Sequence, residues 1–239
     1  MAPSLVQSVS ATGTASPLPV TLGASTTAGN CLVICITGTA ATSNPNVTAV
    51  TLGGAAGNFA QVITAGNVTA DNVTTSIWAD PNCAGGQTAL SLTFSATGSP
   101  SICVTTMEWS GLALSSVTDK TSSGLSDTTV TSWSSGATAT TSQASEVAIG
   151  CVGGQLSTGI TTITGPSSPW TNFTQETSAN THIGLLAGYQ VLSSTGTVTY
   201  SGTFAAGYQY TAAVATFKAA AAAAADNSPY VIAQNTGFF

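Results

Sequence analysis

The chain has 239 residues and carries two Lys, no Arg and eight Asp or Glu, for a net charge of −6. A typical soluble domain gives about a quarter of its residues to charged types; here Lys120 and Lys218, with the single His182, offer no basic track, which excludes direct nucleic-acid binding and attraction to anionic membranes. At 43% apolar residues the chain has enough to bury a core, and no apolar run nears the roughly 20 residues that span a bilayer.

Met1-Ala-Pro-Ser-Leu-Val-Gln has neither a basic nor an apolar leader region, so no secretory signal is expected. From there, Thr/Val-rich or apolar runs alternate with Gly, Asn, Pro and Ser clusters about every ten residues, the pattern of an all-β sandwich or barrel. The predicted strands are Leu5–Ala11, Pro19–Leu22, Cys31–Thr37, Val47–Leu52, Phe59–Ala65, Val73–Ala79, Thr88–Phe94, Ile102–Trp109, Leu114–Thr121, Thr128–Trp133, Glu146–Val152, Phe173–Thr177, His182–Val191, Gly196–Tyr200 and Tyr208–Phe217.

In Ile102–Trp109 the set Cys103, Thr105, Met107 and Trp109 reads as core-facing, opposite Ile102, Val104, Thr106 and Glu108. In Thr211–Phe217, Val214 is out of phase with Ala213, Ala215 and Phe217, which leaves the buried face open. Glycines at 53–57, 85–86 and 153–154 predict tight turns; none sits in a phosphate-loop pattern. The Ser/Thr-rich stretch Leu114–Gln143 reads as a hairpin with a long exposed loop, with Trp133 its one large anchor. Asn-x-Thr sequons begin at Asn46, Asn67, Asn72 and Asn172, as chance provides in a Thr- and Asn-rich chain.

Composition breaks after Lys218. Residues 1–218 read as one sandwich domain, and residues 219–239 as a tether of seven alanines followed by an apolar tail. The Ala run is too short to hold a helix in water by itself. Tyr230, Val231, Ile232, Phe238 and Phe239 in the tail, with Leu5 and Val6 at the start of the first strand, are the candidate assembly contacts, because apolar side chains on a free tail need a surface.

Residues that could carry chemistry are few. Cys31, Cys35, Cys83, Cys103 and Cys151 lack zinc-site spacing and read as small buried hydrophobes, with a Cys103–Cys151 or Cys35–Cys103 bridge left open. His182 has no nucleophile elbow to serve. Of the acids, Glu108 beside Trp109 and Asp80 beside Pro81 are the only pair to consider for hydrolysis, which would need them about 5 to 10 Å apart; Glu108 reads instead as a structural hydrogen-bond acceptor. The carboxylates are too scattered for calcium, and an isopeptide bond would need Lys218 buried beside an acid. Trp78, Trp109, Trp133 and Trp170 with Tyr189, Tyr200, Tyr208, Tyr210 and Tyr230 could form a sugar-stacking platform, or the large pieces of a core. No cofactor, metal or catalytic residue is predicted.

Gly29-Asn-Cys-Leu-Val-Ile, Ser76-Ile-Trp-Ala-Asp-Pro-Asn-Cys-Ala-Gly-Gly, Val104-Thr-Thr-Met-Glu-Trp-Ser-Gly-Leu112, Glu146-Val-Ala-Ile-Gly and the closing strand Tyr210–Phe217 together resemble a β-sandwich domain of virion proteins from tailed phages, especially those of actinobacteria. The resemblance covers about Gly29 to Lys218 and rests on turn and core residues. It implies a jelly-roll-like sandwich that decorates the capsid or forms a minor tail component, assembled in the host cytoplasm. The implied partners are the major capsid protein or tail proteins and further copies of the chain, a trimer among the options. A carbohydrate-binding or adhesive module that takes a host-surface glycan is the competing class, and an enzyme is not expected.

Overall fold

The computed structural model describes residues 2–40, 45–68, 73–95, 100–155, 159–160, 162–178 and 183–221, with the backbone alone at 67 and 68. Every described regular element is a strand: β1 Ser4–Gly13, β2 Leu18–Thr21, β3 Cys31–Thr39, β4 Val47–Leu52, β5 Ala60–Val68, β6 Val73–Asp80, β7 Ala89–Phe94, β8 Ser101–Ser110, β9 Thr118–Ala137, β10 Glu146–Gln155, β11 Ile163–Thr164, β12 Thr171–Asn172, β13 Glu176–Ser178, β14 Ile183–Leu192 and β15 Thr199–Lys218. They form three antiparallel sheets. One has the order β1-β8-β3-β6-β5; the second has β11-β15-β10-β14-β12, with β13 also on β14 and β9 on β15; the third is β2-β7-β4.

The five- and seven-stranded sheets are the two leaves of the sandwich, and the small sheet adds a further layer. β3 therefore buries both faces: Cys31, Val33 and Cys35 point into the main core, Leu32, Ile34 and Ile36 into a second core under the small sheet. β8 does the same, with Cys103, Met107 and Trp109 in the main core as expected, but with Ile102 and Val104 under β2-β7-β4 rather than in solvent. A strand covered on both sides reads as a continuous apolar run, so its period is hidden in the sequence.

The open question at β15 has the same answer. Ala213, Ala215 and Phe217 face the main core, while Ala212 and Val214 belong to a third core on the outer face of the seven-stranded sheet. That third core is roofed by a long ribbon. Instead of four short strands, β9 and β15 are two strands of 20 residues each, paired from Thr118↔Phe217 to Ala137↔Thr199 with irregular register around Thr203 to Tyr208. Beyond that irregularity the ribbon doubles back. Ser122 Oγ donates to Ser135 O at 2.9 Å, and Tyr200 packs where a Cβ on Gly150 or Gly188 would stand. The expected exposed loop within Leu114–Gln143 is thus mostly strand, and Trp133 is 2% exposed. Ser and Thr suit this ribbon because their hydroxyls bond neighbouring backbone while the chain remains extended.

Two smaller differences follow from packing. The pair at Gly53 and Gly54 does turn, with φ of 60° and 82°, whereas Gly153 and Gly154 lie inside β10. A Cβ on Gly153 would collide with the Thr37 and Thr75 hydroxyls, so glycine is there for close approach of the leaves. Of the predicted strand Phe173–Thr177 only Glu176 and Thr177 are strand, in β13, with β12 just before it, and both short pieces pair with β14.

Candidate functional site

Most of the charge gathers at one end of the sandwich, where β3 and β10 start and β6 and β8 finish. Leu32 pairs with Asp80 on one side and Glu108 on the other, so the two acids flank β3 with Cα atoms two strand spacings, about 10 Å, apart. That brings together the pair singled out for hydrolysis. Both, however, are 1% exposed and committed to the fold. Glu108 accepts from Gln7 Nε2 at 2.6 Å, the Thr27 amide at 2.8 Å and Asn30 Nδ2 at 2.6 Å. Asp80 accepts from the Asn58 and Asn82 amides at 3.2 and 3.1 Å. Each carboxyl fixes loops that cap this end.

A second acid pair was not foreseen. β9 and β10 lie on opposite sides of β15, and across them Asp119 meets Glu146. Asp119 accepts from the Ser142 amide at 2.5 Å, the Ser142 hydroxyl at 2.8 Å and Lys120 Nζ at 3.1 Å. Burial alone would raise its pKa, but these donors outweigh that and hold it at about 2. Glu146 has no exposed surface, and neither carboxyl oxygen makes a hydrogen bond of good geometry, although Thr216 and Asp119 lie against it. Burial is the main force that pushes its carboxyl above the ordinary value, and the Asp119 charge adds to it.

A raised folded-state value means that folded Glu146 holds its proton where the unfolded chain has lost it, so stability is full below about pH 4.5 and falls as pH rises through the folded value. Glu146→Gln is therefore expected to match wild type within about 0.5 kcal/mol at pH 4 and to melt higher than wild type at pH 8. Thermal melts of the two proteins at both pH values check this.

The five cysteines are free and buried. Neither bridge left open by the sequence forms; the thiol beside Cys151 is Cys35 on the facing leaf, not Cys103. Burial pushes Cys83 up to about 11 and Cys103 to about 12, and Cys31 and Cys151 are raised further by the same cause. In the native state no thiol is expected to react with a disulfide reagent over an hour at pH 8, against five after denaturation, as a thiol titration reads directly.

The other candidates are structural or outside view. Trp109, Trp133, Tyr200, Tyr208 and Tyr210 are core residues, with Trp133 and Trp170 both against Tyr200 at centroid distances of 5.0 and 4.7 Å. Trp78, Trp170 and Tyr189 are half-buried, with Trp170 against Tyr200 and Tyr189 against Trp109. Lys218 is half-buried, in register with Glu146. No group of three or more His, Cys, Asp or Glu among the described residues could hold a metal. His182 and the tail residues Tyr230, Val231, Ile232, Phe238 and Phe239 lie outside the described residues.

This end also carries a strand edge. Among the described residues β1 pairs only with β8 and is the edge of its sheet. The register shifts between Leu5 and Gln7, a bulge that turns Leu5 toward the main core, Gln7 and Val9 toward the second, and leaves Val6 50% exposed. Residues near both limits of the described sandwich meet here. Gly111, held at φ 77°, has Ala2 and Pro3 packed against it, and its carbonyl accepts from the Ala220 amide at 2.8 Å. Of the two contact candidates named on this strand, Leu5 packs against the main core and Val6 is exposed; the bulge that separates them has no local sequence signal.

Compared with known proteins, the chain matches no family model, no curated protein and no solved structure.

Proposed function

We propose that this chain is a non-enzymatic structural protein of a tailed-phage virion, a sandwich that decorates the capsid exterior through contacts with the shell and with further copies of itself. The observation that carries the reading is the end of the molecule just described. Its acids Asp80 and Glu108 are engaged in bracing loops, while the uncharged edge β1 and the exposed Val6 stand beside the meeting of Ala2, Pro3 and Ala220, a surface that suits docking.

Low charge suits that role. An interface built from hydroxyls and small apolar groups avoids the cost of desolvating ions, and the chain has only two Lys and eight Asp or Glu. The resemblance of the segments from Gly29 to Lys218 to phage virion sandwiches supports the same reading, with a minor tail component as the alternative location. A glycan-binding module is less well supported, because the rings it would present are mostly core.

Cryo-electron microscopy of virions that carry the tagged protein tests the proposal. Density for the sandwich on the outer face of the shell is the expected result; density confined to the tail selects the second location, and purified virions without the protein overturn the reading.

A further inference from the structure

Cys35 and Cys151 sit on inner strands of the two leaves, β3 between β8 and β6, and β10 between β15 and β14. Both side chains enter the main core, and their thiols meet across the gap between the sheets. The other three cysteines turn their thiols to backbone: Cys31 to Leu32 O at 3.8 Å, Cys103 to Ile183 O at 3.9 Å and Cys83 to Thr27 O at 3.5 Å.

The backbones close in at this point. Stacked sheets lie about 10 Å apart, whereas a disulfide needs Cα atoms within about 7 Å and Cβ atoms about 3.5 to 4.5 Å apart, so it forms only where the leaves pinch together. Gly153 marks such a place. It lies two residues beyond Cys151 on β10, and it faces Thr37, two residues beyond Cys35 on β3. A Cβ on Gly153 would stand 2.7 Å from Thr37 Cβ, nearer than the Cβ atoms of a disulfide. The neighbouring inward pair on the same two strands is Cys35 with Cys151.

We propose that Cys35 and Cys151 form a covalent cross-linking site, which closes into a disulfide between the leaves when the chain folds in the presence of a small-molecule disulfide. One protein thiolate attacks a sulfur of the small disulfide, which forms a mixed disulfide and releases one small thiolate. The second protein thiolate then attacks the protein-bound sulfur and releases the other. Two protein thiols are oxidised, the small disulfide is reduced to two thiols, and the two protons lost by the protein end on them. The exchange takes place during folding, because in the finished sandwich neither cysteine has exposed surface. Protein that folds reduced therefore keeps its five free thiols.

The sequence supplies the assay. With Lys120 and Lys218 as its only Lys and no Arg, the chain is cut by trypsin into 1–120, 121–218 and 219–239; Cys151 is the only cysteine of the middle fragment, and the other four lie in the first. Full-length protein is reduced in denaturant, refolded with reduced and oxidised glutathione, alkylated, and digested without reductant. The expected product from monomeric protein is fragment 1–120 joined to fragment 121–218, separable by reductant, with fragmentation mass spectra that assign the bond to Cys35 and Cys151. Cys103→Ser is expected to form the same product and Cys35→Ala to lose it. The oxidised protein is expected to melt at least about 5 °C above protein refolded under reductant, because the bond closes a long loop in the unfolded chain.

Absence of the joined fragments from folded monomer overturns the proposal, as does assignment of the bond to Cys31, Cys83 or Cys103. An oxidised protein that melts below the reduced one overturns it as well, since the leaves would then have to distort to form the bond. The isolated chain is used throughout, so the cross-link and the virion reading can each fail alone.

Discussion

Gly153→Ala is expected to destabilise the protein by about 3 kcal/mol, while the same change one residue on, at Gly154, is expected to cost nothing or to stabilise by up to about 0.5 kcal/mol. The two glycines are neighbours on one strand and differ only in what faces them. Gly153 points between the leaves, where the Thr211 hydroxyl donates to Thr75 Oγ1 at 2.8 Å, Thr75 to Thr37 Oγ1 at 3.1 Å, and Thr37 to the Thr74 carbonyl at 3.0 Å. A Cβ there would stand 2.5 Å from Thr75 Oγ1 and closer still to Thr37 Oγ1. It would both overpack the core and break a hydroxyl chain that links the two sheets, and each broken buried bond costs about 1 to 3 kcal/mol. Gly154 faces Phe204 at an ordinary 3.5 Å. Adding Thr37→Ala to the Gly153→Ala protein removes the nearest clash, so the double variant is expected to recover at least about 1 kcal/mol relative to additivity. Urea unfolding of wild type, the three single variants including Thr37→Ala, and the double variant checks both statements.

Glu108→Ala is expected to cost about 4 kcal/mol and Glu108→Gln about 2 kcal/mol, because three donors depend on this buried carboxyl. In the Ala variant the Thr27 amide, Asn30 and Gln7 all lose their acceptor. In the Gln variant one oxygen can still serve Thr27 and Asn30, but the new NH2 would meet the NH2 of Gln7. Gln7 cannot flip without penalty, since its amide already pairs with both backbone groups of Ala24 at 2.9 and 3.0 Å. Unfolding free energies that leave both variants within about 0.5 kcal/mol of wild type would remove Glu108 from its bracing role and restore it as a candidate for chemistry.

The strand pattern was legible because short β runs with turn residues between them have few other readings. Twelve of the elements fall where alternation or apolar runs put them, once the pairs that merge into β9 and β15 are counted together. The merging was illegible for a physical reason: Ser, Thr and Gly are turn residues in most settings, and only pairing with β15 keeps Ser122–Ser126 extended. The third layer was hidden likewise, since Ile102 and Val104 mark a buried face but not what buries it. Asp119 and Glu146 are separated by a connection with no motif and meet only through the order β9-β15-β10. Glu108, by contrast, was readable as a structural acceptor, because an acid in the middle of an apolar strand must find donors or not fold.

The central claim is that the protein acts by contact, as a component of a virion surface. Mass photometry of phage heads that lack the protein, titrated with the purified chain, tests it most directly. A mass gain that saturates at a fixed number of copies per head is the predicted result. Heads whose mass does not change in the presence of folded protein at micromolar concentration would contradict the capsid assignment.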